Sequence, residues 1–195
     1  MKRFVKRSVL TLMAAAAFAV CAHADDLSLT LIPSSGVVAG PQGSTLGWGF
    51  TLTDTGPYYV LLTDSYVVVN QNIGTYTDYI SNPSNFYVAG PNPESQTINS
   101  PWNQSALTGT GELDLYPTDS SGSFSGTLYV DYNLFTEDPN NPNFDPSSQV
   151  GDLFTFSDPV QVTITPEPAS WFLMSLPLTL LMLFVWRRQA AALRS

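Results

Sequence analysis

The chain has 195 residues, 44% of them hydrophobic, and a formal net charge of −9. All seven lysines and arginines lie at positions 2, 3, 6, 7, 187, 188 and 194, whereas all sixteen aspartates and glutamates lie between Asp25 and Glu167. Residues 25–168 contain no Lys, Arg, His or Cys, so this region carries a formal charge of −16. Its composition excludes phosphate contacts to nucleic acid, catalytic triads that need imidazole or thiol, zinc sites built on His and Cys, and disulfides.

The N-terminal segment has the pattern of a secretory signal peptide. Four basic residues precede an alanine-rich apolar stretch, and Ala22 and Ala24 occupy the small-x-small cleavage positions. We therefore predict a signal peptide over residues 1–24. Cys21 raises the alternative of a lipoprotein, but the residue before it, Val20, is larger than the small residue that lipidation favours.

Residues 25–164 form an acidic ectodomain whose hydrophobic pattern is β throughout. Apolar residues alternate with polar or small ones, a period of two that places one set on the core side of a strand. The predicted strands cover 27–31, 46–52, 58–62, 66–69, 76–80, 86–88, 111–116, 128–134, 153–156 and 160–164. Short strands separated by Gly, Pro, Asn and Ser turns predict one antiparallel β-sandwich, of immunoglobulin-like or jelly-roll topology.

Carboxylate-pair chemistry, as in glycoside hydrolysis, is the enzyme class that the composition leaves open. Glu112 and Asp114 alternate on one strand face and are the candidate pair. The simpler interpretation is that both face solvent between core leucines, and we expect the ectodomain not to be an enzyme.

An irregular acidic loop over residues 137–146 is the candidate metal site. Its prolines exclude a central strand, and the oxygens of Asp138, Asn140, Asn143 and Asp145 suit calcium. Turns in which Asx side chains bond the backbone explain the same composition without a metal.

Tyrosine is abundant in the ectodomain, and exposed tyrosine rings can stack on sugars. A carbohydrate-binding module is therefore the alternative function, although aromatic residues also form strands and fill cores. The nine tyrosines are Tyr58, Tyr59, Tyr66, Tyr76, Tyr79, Tyr87, Tyr116, Tyr129 and Tyr132.

The C-terminal segment carries three elements in order: a proline-rich motif, an uncharged apolar span and a basic stop. The span, residues 169–186, is about 27 Å long as a helix, close to the thickness of a membrane hydrocarbon core. Basic residues after it favour a cytoplasmic tail over residues 187–195. The motif and the stop are formed by Pro166, Glu167, Pro168, Arg187 and Arg188.

Over residues 165–190 the chain resembles the PEP-CTERM sorting domain of Gram-negative bacteria. The resemblance implies processing by an exosortase-type membrane enzyme and a host that makes exopolysaccharide and biofilm. More faintly, residues 47–52 and 141–146 resemble a group of exported proteins with this domain, without implying an activity.

We therefore expect an exported protein that the C-terminal transmembrane helix holds in the inner membrane until processing. It then reaches the cell surface or extracellular matrix, where exopolysaccharide is the expected partner.

Overall fold

The structure, a computed structural model, describes residues 27–91, 96–118 and 120–166. These residues form ten β-strands and one short 3-10 turn, Pro146–Ser148. The strands are β1 (Leu27–Ile32), β2 (Val37–Pro41), β3 (Thr45–Asp54), β4 (Tyr59–Val69), β5 (Gly74–Asp78), β6 (Val88–Ala89), β7 (Gln96–Ser100), β8 (Gly111–Leu115), β9 (Gly122–Phe135) and β10 (Gln149–Thr165).

The strands form two sheets, which confirms the all-β prediction and is consistent with a β-sandwich. Sheet 1 has the order β1-β3-β8-β5, with β7 also paired to β3, and sheet 2 has the order β2-β10-β9-β4-β6. Within the three described ranges no helix is long and apolar enough to cross a membrane. The predicted span, residues 169–186, lies outside them.

One strand pairing differs from the antiparallel prediction. β2 runs parallel to β10, with Val37 opposite Gln161, whereas the other pairings are antiparallel. The chain leaves sheet 1 after Ile32, passes a turn in which the Gly36 amide bonds the Pro33 carbonyl, and joins sheet 2.

Several predicted strands are joined or were missed. β4 unites the predicted strands 58–62 and 66–69 across a bulge between Leu62 and Asp64, and β10 likewise unites 153–156 and 160–164. The acidic and serine residues that interrupt the apolar alternation of β4 lie within the strand. β2 and β7 were not predicted because neither shows an apolar alternation: β7 has a single apolar residue, Ile98, and β2 reads Val-Val-Ala-Gly-Pro.

Trp48 joins the two sheets in the core. Its side chain is fully buried, and its indole Nε1 donates to the Gly36 carbonyl at 2.9 Å. The same carbonyl accepts the backbone amide of Gln161 on β10 at 3.1 Å. One carbonyl therefore links β3 of sheet 1 to the turn before β2 and to β10 of sheet 2.

The first prediction concerns this junction. We expect Trp48→Phe to lower the free energy of unfolding by about 3 kcal/mol, because it leaves a cavity and removes a buried hydrogen bond. Urea unfolding monitored by circular dichroism measures the change. Phe86→Leu, a change at a side chain that is 55% exposed, is the control and should cost less than about 0.5 kcal/mol. Equal losses in the two variants would contradict the role assigned to Trp48.

Candidate functional site

The predicted sorting residues lie almost entirely outside the described ranges. Pro166 is described: it is exposed and directly follows the last residue of β10, Thr165. Signal-cleavage residues Ala22 and Ala24 lie outside, as do Glu167, Pro168, Arg187 and Arg188.

The acidic loop uses its side-chain oxygens on its own backbone. Asp138 Oδ1 accepts the backbone amide of Asn140 at 2.8 Å, Asn141 Oδ1 accepts that of Asn143 at 2.9 Å, and Asp145 Oδ1 accepts that of Ser147 at 2.9 Å. The hydrogen bonds from Ser147 lower the pKa of the Asp145 carboxyl. In the part of the chain that the structure describes, no three His, Cys, Asp or Glu residues are grouped to hold a metal. Calcium binding by this loop remains a prediction.

The same loop also has a packing role. The Phe144 ring meets the Phe135 ring edge to face, with centroids 5.0 Å apart, and Phe135 is buried. By the period of two, Phe135 falls on the opposite face of β9 from Leu128 and Val130, which is the outer face of the strand. The face is closed at this point because the loop returns over the end of β9, and a phenylalanine within a polar loop was the available signal.

Glu112 and Asp114 lie on the outer face of sheet 1, in different surroundings. Asp114 is exposed and its Oδ1 accepts the Thr45 hydroxyl at 2.5 Å. Glu112 is half-buried, and its Oε2 is a buried atom without a hydrogen-bond partner. The simple expectation that both carboxylates face solvent is therefore wrong for Glu112.

Aromatic side chains account for the covering of this face. The Trp102 indole occupies the space above Gly47, the residue opposite Glu112, so that no side chain fits there. Burial and then the Glu112 carboxylate raise the pKa of Tyr79, although its hydroxyl and that carboxylate fall short of full hydrogen-bond geometry. With one carboxylate covered and the other bound to Thr45, the pair does not flank an open cleft.

A second polar cluster lies where β4 and β5 meet at the edge of the sandwich. The buried Ser65 hydroxyl oxygen lies 2.6 Å from the Thr110 carbonyl, within hydrogen-bond distance of the Asp78 carboxylate, and 3.1 Å from the Tyr76 hydroxyl, so its single proton is shared between two acceptors. These bonds connect sheet 2 to sheet 1. Burial raises the pKa of the Tyr76 hydroxyl to about 12, so this group stays protonated at neutral pH.

Asp64 is the neighbour of this cluster on the outer side. Burial, then the hydrogen bond and charge of Asp78, and more weakly the charge of Asp131 raise the pKa of the Asp64 carboxyl. Asp64 and Asp131 are opposite each other on β4 and β9, and Asp131 accepts the Thr155 hydroxyl from β10 at 2.5 Å. A row of oxygen-rich side chains therefore crosses the outer face of sheet 2.

Two tyrosines form the next row of this face. Tyr66 and Tyr129 are opposite each other on β4 and β9, and their rings stack with centroids 4.8 Å apart and planes 15° apart. Tyr66 is 41% exposed. Partial desolvation, then the Asp131 charge, raises the pKa of the Tyr66 hydroxyl, which therefore remains a neutral donor. Tyr66 and Tyr129 are two of the nine tyrosines that the sequence offered for sugar stacking. Their position beside two carboxylates was not predicted.

A groove of about 290 Å³ lies on the inner side of the same edge. It is lined by Val67, Val68, Val69, Gln71, Asn72, Gly74, Tyr76 and Leu113. Its walls are the ends of β4 and β5 and the turn between them. Neither member of the Glu112–Asp114 pair lines it.

No protein-family model and no curated protein matches the chain.

The second prediction concerns the pH dependence due to Asp64. Because its pKa is raised in the folded state, that state holds the proton more tightly than the unfolded chain, and stability falls as pH rises from the ordinary value of 3.8 through the raised value. Asp64→Asn stays neutral, so we expect it to unfold at higher urea concentration than the wild type at pH 7 and at nearly the same concentration at pH 3.

The control for this experiment is Asp152→Asn, which removes an exposed carboxylate on β10. Asp64 faces Asp78, Asp131 and the Tyr66 hydroxyl, with no basic residue in the ectodomain to offset them. The Asp64→Asn difference should therefore grow with pH more steeply than the Asp152→Asn difference. Parallel curves for the two variants would rule out this role of Asp64.

The third prediction separates a calcium site from simple screening in the acidic loop. A site at Asp138, Asn140, Asn143 and Asp145 predicts a higher melting temperature in calcium than in magnesium or sodium chloride of equal ionic strength. Screening of like charges predicts the same rise in all three salts. The local hydrogen bonds of the loop favour the second result. A calcium-specific rise that Asp138→Asn abolishes would establish the site.

Proposed function

We propose that this protein is an exported surface or extracellular-matrix protein that is sorted by its C-terminal signal. The proposal rests on the order of the segments along the chain. A folded acidic domain is followed by Pro166, Glu167 and Pro168, and these by an uncharged span and a basic stop. The last strand ends at Thr165, so the motif begins directly outside the sandwich. A processing enzyme would therefore reach it without unfolding a strand.

The proposed pathway has three stages. The signal peptide directs export, the span over residues 169–186 anchors the chain in the inner membrane, and an exosortase-type enzyme processes the chain near the motif. The product stays at the surface or enters a matrix of exopolysaccharide in a biofilm. The charge of −16 over residues 25–168 favours solubility and attracts counter-ions.

The ectodomain is proposed to act without catalysis. Residues 27–166 provide no His, Cys, Lys or Arg, and the candidate carboxylate pair is divided between a covered and an exposed position. Of the two sandwich topologies we propose the immunoglobulin-like one. It is supported by the order β10-β9-β4-β6 in sheet 2, which corresponds to strands G, F, C and C′ of that fold.

The alternative function is a carbohydrate-binding module that uses exposed aromatic residues. The observation that favours it is the stacked pair of Tyr66 and Tyr129 on an outer sheet face. The matrix role and the carbohydrate-binding role are compatible, because a matrix protein that binds the matrix polysaccharide is retained in the matrix. Retention of the protein on polysaccharide separates a binding module from a matrix protein without a ligand.

The fourth prediction tests sorting. Deleting residues 166–168 should leave the protein at full length in the inner membrane, because the processing enzyme loses its recognition element. Fractionation of host cells, with immunoblotting of membrane and medium, measures this. Deleting residues 190–192 removes as many residues but keeps the motif, the span and the Arg187-Arg188 stop, and it should leave processing intact. Unchanged surface display or release in the first deletion strain would disprove the sorting proposal.

A further inference from the structure

The outer face of sheet 2 presents a stacked ring at an open strand edge. Tyr129 covers one face of the Tyr66 ring, at 4.8 Å between centroids, so the second face is turned away from Tyr129. In the described ranges, β4 pairs with β6 only at Val60 and Leu61, and no strand pairs with β4 at Tyr66 on that side. The exposed fraction of Tyr66, 41%, agrees with a ring that has one side available.

The groups beside this ring accept and donate hydrogen bonds without a positive charge. Asp64 and Asp131 lie one row along the sheet from the tyrosine pair, and Thr155 donates to Asp131 from β10. Ser157 is opposite Tyr129 on the far side and adds a small polar side chain. Hydroxyl groups can donate to these carboxylates, and the electron-rich ring face attracts the positively polarised C–H bonds of a pyranose ring.

Charge restricts what can occupy the face. The face carries two carboxylates, and the ectodomain has no lysine, arginine or histidine. An anionic polymer or an anionic lipid surface would meet uncompensated like charge, and so would a second copy placed symmetrically on the same face. A neutral polyhydroxylated ligand avoids this repulsion and uses the acceptors.

We propose that the Tyr66–Tyr129 face binds a neutral polysaccharide, with one pyranose ring stacked on the free side of Tyr66 and its neighbouring hydroxyls donating to Asp131 and Asp64. The site is a surface and not an enclosed pocket, so it suits a chain that passes over the sheet. This inference deepens the carbohydrate-binding alternative and names its site and ligand class, while sorting at residues 166–168 is tested separately.

Native gel electrophoresis of the full-length chain in mild detergent tests the proposal. The probes are dextran, hydroxyethyl cellulose and galactomannan as neutral polymers and alginate as the anionic one. We expect at least one neutral polymer to retard the protein and alginate not to do so. Tyr66→Ala should weaken this retardation by about tenfold, the scale of one aromatic stacking contact.

Matched variants separate binding from folding. Tyr66→Leu keeps an apolar side chain on the strand but removes the ring, and it should lose retardation as Tyr66→Ala does while its circular dichroism stays unchanged. Tyr116→Ala removes a tyrosine of similar exposure, 36%, outside this face, and should bind like the wild type. The proposal is wrong if no neutral polymer retards the protein, if alginate alone does, or if the Tyr66 variants are retarded like the wild type. A failure of this kind leaves the outcome of the sorting deletion unaffected.

Discussion

The ectodomain must hold its carboxylates without a positive charge, because no lysine or arginine occurs between residues 8 and 186. Neutral donors replace ion pairs. Backbone amides donate to the side chains of Asp54, Asp64, Asp78, Asp138 and Asp145. Hydroxyls of Thr45 and Thr155 donate to Asp114 and Asp131. Most of these bonds close turns, so acidic residues fix the loops of this sandwich by local geometry and not by long-range attraction.

The same constraint shapes the joint between the sheets. At one edge the Ser65 hydroxyl connects both sheets through the Thr110 carbonyl and Asp78, and in the centre the Trp48 indole does so through the Gly36 carbonyl. Both joints use neutral donors in a buried setting, where a hydrogen bond is costly to lose. The outer faces are left with acceptors and aromatic rings, a chemistry that matches hydroxylated ligands better than charged ones.

Alternation of apolar residues predicted the core correctly where strands are long and their neighbours regular. Leu46, Trp48, Phe50 and Leu52 form one buried face of β3 as expected. The prediction failed where tertiary contacts override the local pattern. Asp64 and Ser65 interrupt the apolar alternation and were therefore predicted to separate two strands. In the structure they lie within β4, which accommodates them with a bulge and with contacts at the edge of the sandwich. Glu112 was placed toward solvent, and Phe135 falls on the outer face by alternation, because the pattern within a strand does not show which neighbouring segment folds back over it. Phe144 covers Phe135, and Trp102 lies over Gly47, the residue opposite Glu112. The parallel partner of β10 was missed because sequence alternation carries no strand direction.

The parallel pairing of β2 with β10 affects how the sandwich bears mechanical load. Residues 161–164 of β10 lie between β2 on one side and β9 on the other, and Pro166 follows two residues later. A pull on Pro166 is directed along β10, so it stresses the hydrogen bonds of both ladders together in shear and does not open them one at a time. A matrix or membrane tether attached at this end would therefore load a strand that is paired on both sides.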